Sequence, residues 1–191
     1  MRRGTALATI LALGLAGPAI AAPVVYVYDP EGSAVIAEAD YGPIAVRARM
    51  PVAGASLAID FDQVANSRFA VTLRADKATS NLPFAARAIR SEGVLDAAHH
   101  PEVSFESSRV AATGPGRLIV TGQATIRGAT REVTLSAVIY RPPGSAPGER
   151  GELKVLVTGT ISRAAFGASG HAGSVGDTVR LRLLLHVRRA G

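Results

Sequence analysis

The stretch TVRLRLLLHVRR, residues 178–189, alternates apolar and mostly polar side chains along its length. Apolar residues occupy every second position: Val179, Leu181, Leu183, Leu185 and Val187. The positions between them carry Arg180, Arg182, Leu184, His186 and Arg188. Because successive side chains of a β-strand point to opposite faces of a sheet, this pattern predicts a strand with one buried side.

The same two-residue period recurs in six upstream segments. They span residues 55–62, 67–76, 102–110, 117–128, 131–141 and 152–163. Glycine- and proline-rich turn sequences separate several of them, at 113–116, 127–130 and 142–151. Seven or eight half-buried strands at this spacing predict an all-β antiparallel sandwich or a closed barrel.

One segment interrupts the alternation. Residues 82–100, LPFAARAIRSEGVLDAAHH, are rich in alanine and space their larger apolar residues in a helical manner. This spacing predicts a short helical insert around residues 82–98 that packs on the strands.

The amino terminus resembles a secretory signal. Residues 1–21 contain Arg2 and Arg3, an apolar run from Ala6 to Gly17, and an Ala-x-Ala motif at 19–21. We therefore expect export to the periplasm, with cleavage near Ala21 and a single mature domain of residues 22–191. The chain has no cysteine, so disulfides and thiolate metal sites are excluded.

The charge pattern gives no indication of a nucleic-acid partner. Removing residues 1–21, which carry two arginines and no acid, lowers the formal net charge from +6 to +4. The remaining basic residues are scattered, and the chain has no tryptophan. Nucleic-acid-binding domains usually concentrate basic residues on one face, so we expect no such partner.

Several short motifs occur in a fixed order over residues 28–187. The chain carries Asp29-Pro30 with Ser33, Asp96-Ala97 before Pro101, Phe105-Glu106-Ser107, and Gly122 followed by Thr125-Ile126-x-Gly128-x-Thr130-x-x-Val133-x-Leu135. Ser162-Arg163-x-x-Phe166-Gly167 and Val175-Gly176-Asp177-x-Val179-x-Leu181 complete the set.

In the order and spacing of these motifs the chain resembles the YceI-like family. That resemblance implies an exported, lipocalin-like antiparallel barrel of about eight strands that binds polyisoprenoids and related amphiphilic lipids. It implies an isoprenoid or fatty-chain lipid as partner, no cofactor and no metal. The family commonly has a tryptophan where this chain reads VVYVYDP, and aromatic residues where it has Gly93 and Val94.

The apolar stripes are the main candidate site. A closed barrel of about eight strands is just wide enough to hold one ligand. Small interior residues, namely Gly122, Ala124, Ala137 and Gly159, are expected to leave room for a chain. The predicted lumen is lined by Val71, Leu73, Val103, Phe105, Leu118, Val120, Val133, Leu135, Val155, Val157, Leu181 and Leu183, with Phe166 closing one end.

Arg163 is a second candidate. It flanks a long loop together with Asp177, and we expect an ion pair between them that holds this loop. Alternatively, its guanidinium contacts a ligand headgroup, since it suits phosphate oxygens.

Asp96, His99 and His100 suggest a competing function, a metal-dependent hydrolase or isomerase. Adjacent histidines point in different directions, and zinc sites typically use three or four protein ligands. The favoured interpretation is therefore a solvent-exposed helix end, in which Pro101 sets an extended entry into the next strand.

The outward-facing arginines Arg180, Arg182 and Arg188 suggest transient contact with an anionic membrane surface. The pattern leaves open whether the protein is a monomer or a dimer.

Overall fold

In the computed structural model, which describes residues 22–191, the chain forms ten β-strands and one short α-helix. The first five strands are β1 (Val24–Tyr41), β2 (Ile44–Arg49), β3 (Val52–Ile59), β4 (Arg68–Arg74) and β5 (Thr79–Ser80). The remaining elements are α1 (Ala85–Arg90), β6 (Glu102–Gly114), β7 (Arg117–Ile126), β8 (Ala129–Tyr140), β9 (Glu152–Ser162) and β10 (Val175–Arg189). The predicted signal segment, residues 1–21, lies outside the described residues.

The antiparallel sheet closes on itself. Its order is β10-β9-β8-β7-β6-β4-β3-β1-β2-β5, and a further pairing joins β10 to β1. Near its start β1 pairs with β3, and near its end it pairs with β2. With β2 and β3 counted as one interrupted strand and the two-residue β5 left aside, the barrel has eight strands. This confirms the predicted all-β, lipocalin-like barrel.

The interruption between β2 and β3 falls at Met50 and Pro51. Proline has no backbone N–H to give to the sheet, so regular pairing cannot continue through it. The carbonyl of Pro51 still accepts a hydrogen bond from the N–H of Arg74 on β4 (2.8 Å). The chain therefore changes partners here without leaving the barrel wall.

The helical insert is present, but its regular helix is short. Only residues Ala85–Arg90 are α-helical, and turns occupy most of residues 91–99. The carbonyls of Arg90 and Ser91 accept hydrogen bonds from Ala97 and Asp96, so the turns fold back on the helix end. Within residues 22–191, no helix has the length and apolar character needed to cross a bilayer.

The interior of the barrel is packed with side chains at one end. Tyr26 is almost fully buried there, and its hydroxyl donates a hydrogen bond to the carbonyl of Arg150 (2.8 Å). The rings of Tyr26 and Phe61 meet edge to face, and the Arg150 guanidinium stacks on Phe61 at 4.1 Å. Leu57, Ile59, Leu118, Leu153 and Val187 belong to the same buried cluster.

Two of the small interior residues do not provide free space. A Cβ on Gly122 would lie 2.7 Å from Cζ of Phe105 and 2.8 Å from Cα of Ser107, because β6 bulges between Ser107 and Arg109. A Cβ on Gly159 would lie 2.5 Å from Cδ2 of Leu135. The expectation that these glycines leave room for a ligand is wrong, since neighbouring side chains and backbone already fill the space.

We expect Gly122→Ala to destabilise the barrel by about 1–3 kcal/mol, the usual cost of overpacking a filled interior. The measurement is urea unfolding, in which the midpoint falls while the slope stays constant. Gly54→Ala is the matched strand control, because nothing lies within 4 Å of its Cβ position. Equal midpoints for the two variants would contradict the close packing at Gly122.

Candidate functional site

The other end of the barrel is hollow. It contains a cavity of about 410 Å³, within the range of roughly 300–1,000 Å³ that is typical of small-molecule sites. All eight strands contribute to its wall, and the helical insert covers part of its mouth. The lining is almost wholly aliphatic and aromatic, so the cavity offers an apolar ligand contact surface and few polar partners.

Of the thirteen residues predicted for the lumen, twelve line this cavity. They are Val71, Leu73, Val103, Phe105, Val120, Val133, Leu135, Val155, Val157, Phe166, Leu181 and Leu183. Ala124 and Ala137 line it as well. That these residues bind a ligand stays a prediction.

Leu118 is the exception. It lies in the packed end and faces a second cavity, of about 700 Å³, between the loops at that end. Strand β7 starts at the packed end and runs toward the mouth, so its first apolar residue lies below the cavity floor. Alternation shows that Leu118 faces inward, but it does not show how deep along the barrel axis the residue lies.

The prediction missed the contribution of β1, β2 and the insert. Val35, Ala37 and Ala39 of β1 line the cavity, as do Val46 and Ala48 of β2. A signal was present, because Glu38 and Asp40 alternate with the inward residues of β1. Five residues of the insert also line the cavity: Ala85, Ala88, Ile89, Val94 and Leu95.

Arg163 holds the loop between β9 and β10. Its guanidinium is buried and donates to the carbonyls of Gly176 (3.1 Å), Gly170 (2.7 Å), Val175 (3.1 Å) and Ala168. Guanidinium has five N–H donors, so these four bonds leave one for any other partner. Contact between Arg163 and a ligand headgroup remains a prediction, and one guanidinium N–H would be available for it.

The expected ion pair between Arg163 and Asp177 is wrong. Among the ion pairs of residues 22–191, none joins these two side chains. The Asp177 carboxylate instead accepts the N–H of Ala164 (2.8 Å). The pKa of Asp177 is lowered, first by a hydrogen bond from the Ser162 hydroxyl and then by that N–H. The ion pair was expected because Arg163 and Asp177 flank the same loop. The guanidinium of Arg163 instead donates to backbone carbonyls of that loop.

Phe166 lies in a short 3₁₀ turn, Ala164–Phe166, directly after Arg163. Its ring is buried and lines the cavity. The turn ends at Gly167, whose φ of +74° is the left-handed conformation that glycine adopts without steric cost.

Asp96 and the two histidines form a surface turn. The imidazole Nδ1 of His99 donates to Oδ1 of Asp96 (2.8 Å), and this hydrogen bond raises the pKa of His99. Nε2 of His100 lies 4.0 Å from Oδ2 of Asp96, and its ring packs against Gly128. Within the described residues, no group of three or more histidine, aspartate or glutamate side chains is arranged to hold a metal.

The outer arginines contact carboxylates of the same barrel. Arg180 bonds to Asp40 and Glu38 on β1, which raises the pKa of Arg180. Arg188 lies 3.2 Å from an oxygen of Asp29. Two of the three arginines considered for membrane contact therefore already have anionic partners.

Comparison with known proteins agrees with this architecture. The family model of the YceI-like domain matches residues 26–187. UPF0312 proteins of Vibrio parahaemolyticus and Vibrio campbellii are each 30% identical over 133 residues, which is 68% of this chain and 70% of each relative.

Solved structures share the fold at low sequence identity. BcnA of Burkholderia cenocepacia superposes with a TM-score of 0.74 at 20% identity, over 83% of this chain and 98% of that one. A YceI protein of Campylobacter jejuni gives a TM-score of 0.59 at 20% identity, over 74% and 84%. The resemblance seen in the sequence motifs is confirmed, and the chain belongs to the YceI-like family.

Proposed function

We propose that this protein binds the hydrophobic chain of a lipid, a polyisoprenoid or a similar amphiphile, inside the barrel and carries it in the periplasm. The observation that carries the proposal is the apolar cavity, whose wall is formed by all eight strands of the barrel. Membership of the YceI-like family and the barrel fold support a binding protein rather than an enzyme. The signal-like residues 1–21 support export.

The character of the wall favours a chain-like ligand. Burying a methylene contributes about 0.8 kcal/mol, so each enclosed carbon raises affinity by up to about fourfold. The cost of ordering a flexible chain offsets part of this gain. A ligand with polar groups along its length would lose hydrogen bonds to water without regaining them, because the wall is almost entirely hydrocarbon.

The volume sets the length of chain that fits. If one chain carbon occupies about the volume of a water molecule, ~30 Å³, then 410 Å³ encloses on the order of fourteen carbons. The packed cluster around Tyr26 and Leu57 forms the floor, so a chain cannot continue through the barrel. A longer polyisoprenoid therefore has its first segment inside and the remainder at the mouth.

The polar end of the ligand belongs at the mouth. His171 is exposed there and lines the cavity entrance, in the loop that Arg163 holds. An amphiphile would thus enter tail first and leave its headgroup at the solvent boundary.

Native mass spectrometry of the purified protein tests the proposal directly. We expect a bound species that solvent extraction releases as a lipid, or uptake of added prenyl alcohol by barrels that have lost it. Barrels that stay free of ligand in both experiments would overturn the proposed function.

A series of prenyl alcohols tests the size of the cavity. We expect affinity to rise by at least about tenfold from ten to fifteen carbons, because the added carbons are buried. Beyond about fifteen to twenty carbons the gain per carbon should fall sharply, since those carbons lie outside. Competition with a fluorescent fatty-acid probe gives the dissociation constants. An unbroken rise with chain length would indicate that the cavity does not limit the ligand.

Filling the cavity should weaken binding without unfolding the barrel. Ala124→Leu adds three carbons to the wall, and we expect affinity for a fifteen-carbon alcohol to fall at least about tenfold. Ala111→Leu, on the exposed face of β6, is the matched control. Similar affinities for the two variants, with unchanged circular dichroism, would place the ligand elsewhere.

A further inference from the structure

Three large apolar side chains are exposed around the mouth of the cavity. They are Tyr41 (39% exposed), Ile44 (48%) and Phe84 (68%), and we call them the rim. Tyr41 and Phe84 themselves line the cavity. Tyr41 and Ile44 face each other across the turn between β1 and β2. The rim and the interior wall are therefore one continuous apolar surface.

Part of the mouth is closed by a contact between the insert and the β9–β10 loop. There the N–H of Gly170 donates to the carbonyl of Gly93 (2.7 Å), which joins the β9–β10 loop to the insert. A Cβ on Gly170 would lie 2.6 Å from that carbonyl oxygen, so the two backbones are in tight contact. Tyr41 and Phe84 are cavity-lining residues that stay exposed outside this contact.

The charges beside the rim suit a lipid surface. Arg87 is exposed one helical turn after Phe84, and among residues 22–191 it has no carboxylate within ion-pair distance. The nearby carboxylate of Asp40 is already bonded to Arg180. A cation on a flexible three-carbon stem next to exposed aromatic and aliphatic groups is typical of surfaces that lie at the boundary between lipid headgroups and acyl chains.

We propose that the rim inserts into the surface of a lipid bilayer, and that the ligand chain passes there between the bilayer and the cavity. This inference rests on the proposed function. Contiguous exposed apolar patches mark interaction sites, and this patch opens directly onto the ligand cavity. A chain that leaves the bilayer at the rim never exposes its methylenes to water.

A second copy of the chain is a weaker explanation of the rim. Stable protein interfaces bury roughly 1,200–2,000 Å² in total. Three side chains supply only a small part of such an area.

The chain has no tryptophan, so a single introduced indole reports on its own position. In Phe84→Trp we expect a blue-shifted emission with vesicles of phosphatidylethanolamine and phosphatidylglycerol, and quenching by brominated acyl chains. Tyr140→Trp, exposed at the other end of the barrel, is the control and should not be quenched. Equal quenching, or none in either variant, would overturn the inference. So would a blue shift that depends on protein concentration without vesicles, because it would assign the rim to self-association.

Ile44→Ser tests the rim without changing the cavity wall, because Ile44 is not a lining residue. We expect vesicle co-sedimentation, and transfer of a prenyl alcohol from vesicles, to fall at least about tenfold. Serine lacks the apolar surface whose burial in lipid would stabilise the bound state of the wild-type protein. Uptake of the same alcohol from detergent should be unchanged. Val27→Ser, on an equally exposed residue of the outer wall, is the matched control.

The two proposals fail separately. Suppose that Ile44→Ser takes up the alcohol normally from detergent and also transfers it normally from vesicles. That result would overturn membrane insertion by the rim and leave the proposed function standing. Vesicle insertion of Phe84→Trp with no uptake from either source would overturn the proposed function. Co-sedimentation that disappears at high salt would assign membrane contact to the charged groups and overturn insertion by the rim.

Discussion

The pairing of β1 with β10 is the constraint on which the rest of the structure depends. It runs from Tyr26 opposite Arg189 to Tyr41 opposite Val175 and joins the two ends of the described chain. Without it, both strands would be long sheet edges with unpaired backbone groups. With it, the inward residues of eight strands surround one interior and exclude water from it. The hydrocarbon wall exists only because this ladder closes.

Closure alone does not determine how the interior is filled, and the residues of β1 explain why one end is packed and the other hollow. Where β1 begins, Tyr26 occupies the interior and meets Phe61. Further along, the inward positions carry Ala37 and Ala39, whose short side chains leave space in front of them. The insert covers part of the space that these short side chains leave open. The division into floor and cavity therefore follows the change in side-chain size along a single strand.

Alternation in the sequence was sufficient to predict β3, β4 and β6 to β10, and the face of most of their apolar residues, because these are local properties. The depth of Leu118 and the crowding at Gly122 were not predictable in this way. Both depend on which residue of another strand lies opposite, and on the bulge at Ser107. Likewise, the partners of Arg163 are backbone carbonyls, which leave no signature in residue identity. Sequence identifies the wall, whereas long-range pairing determines where the wall encloses a void.

The segments around the mouth differ in how firmly they are held. Arg163 donates to four carbonyls of the β9–β10 loop, and Gly170 bonds to the insert at Gly93. Phe84, in contrast, stands at the start of a six-residue helix with no side-chain cap. Local opening is least costly where few buried contacts and backbone hydrogen bonds must break. By this measure the start of α1 would open at a lower cost in free energy than the clamped loop or the barrel wall.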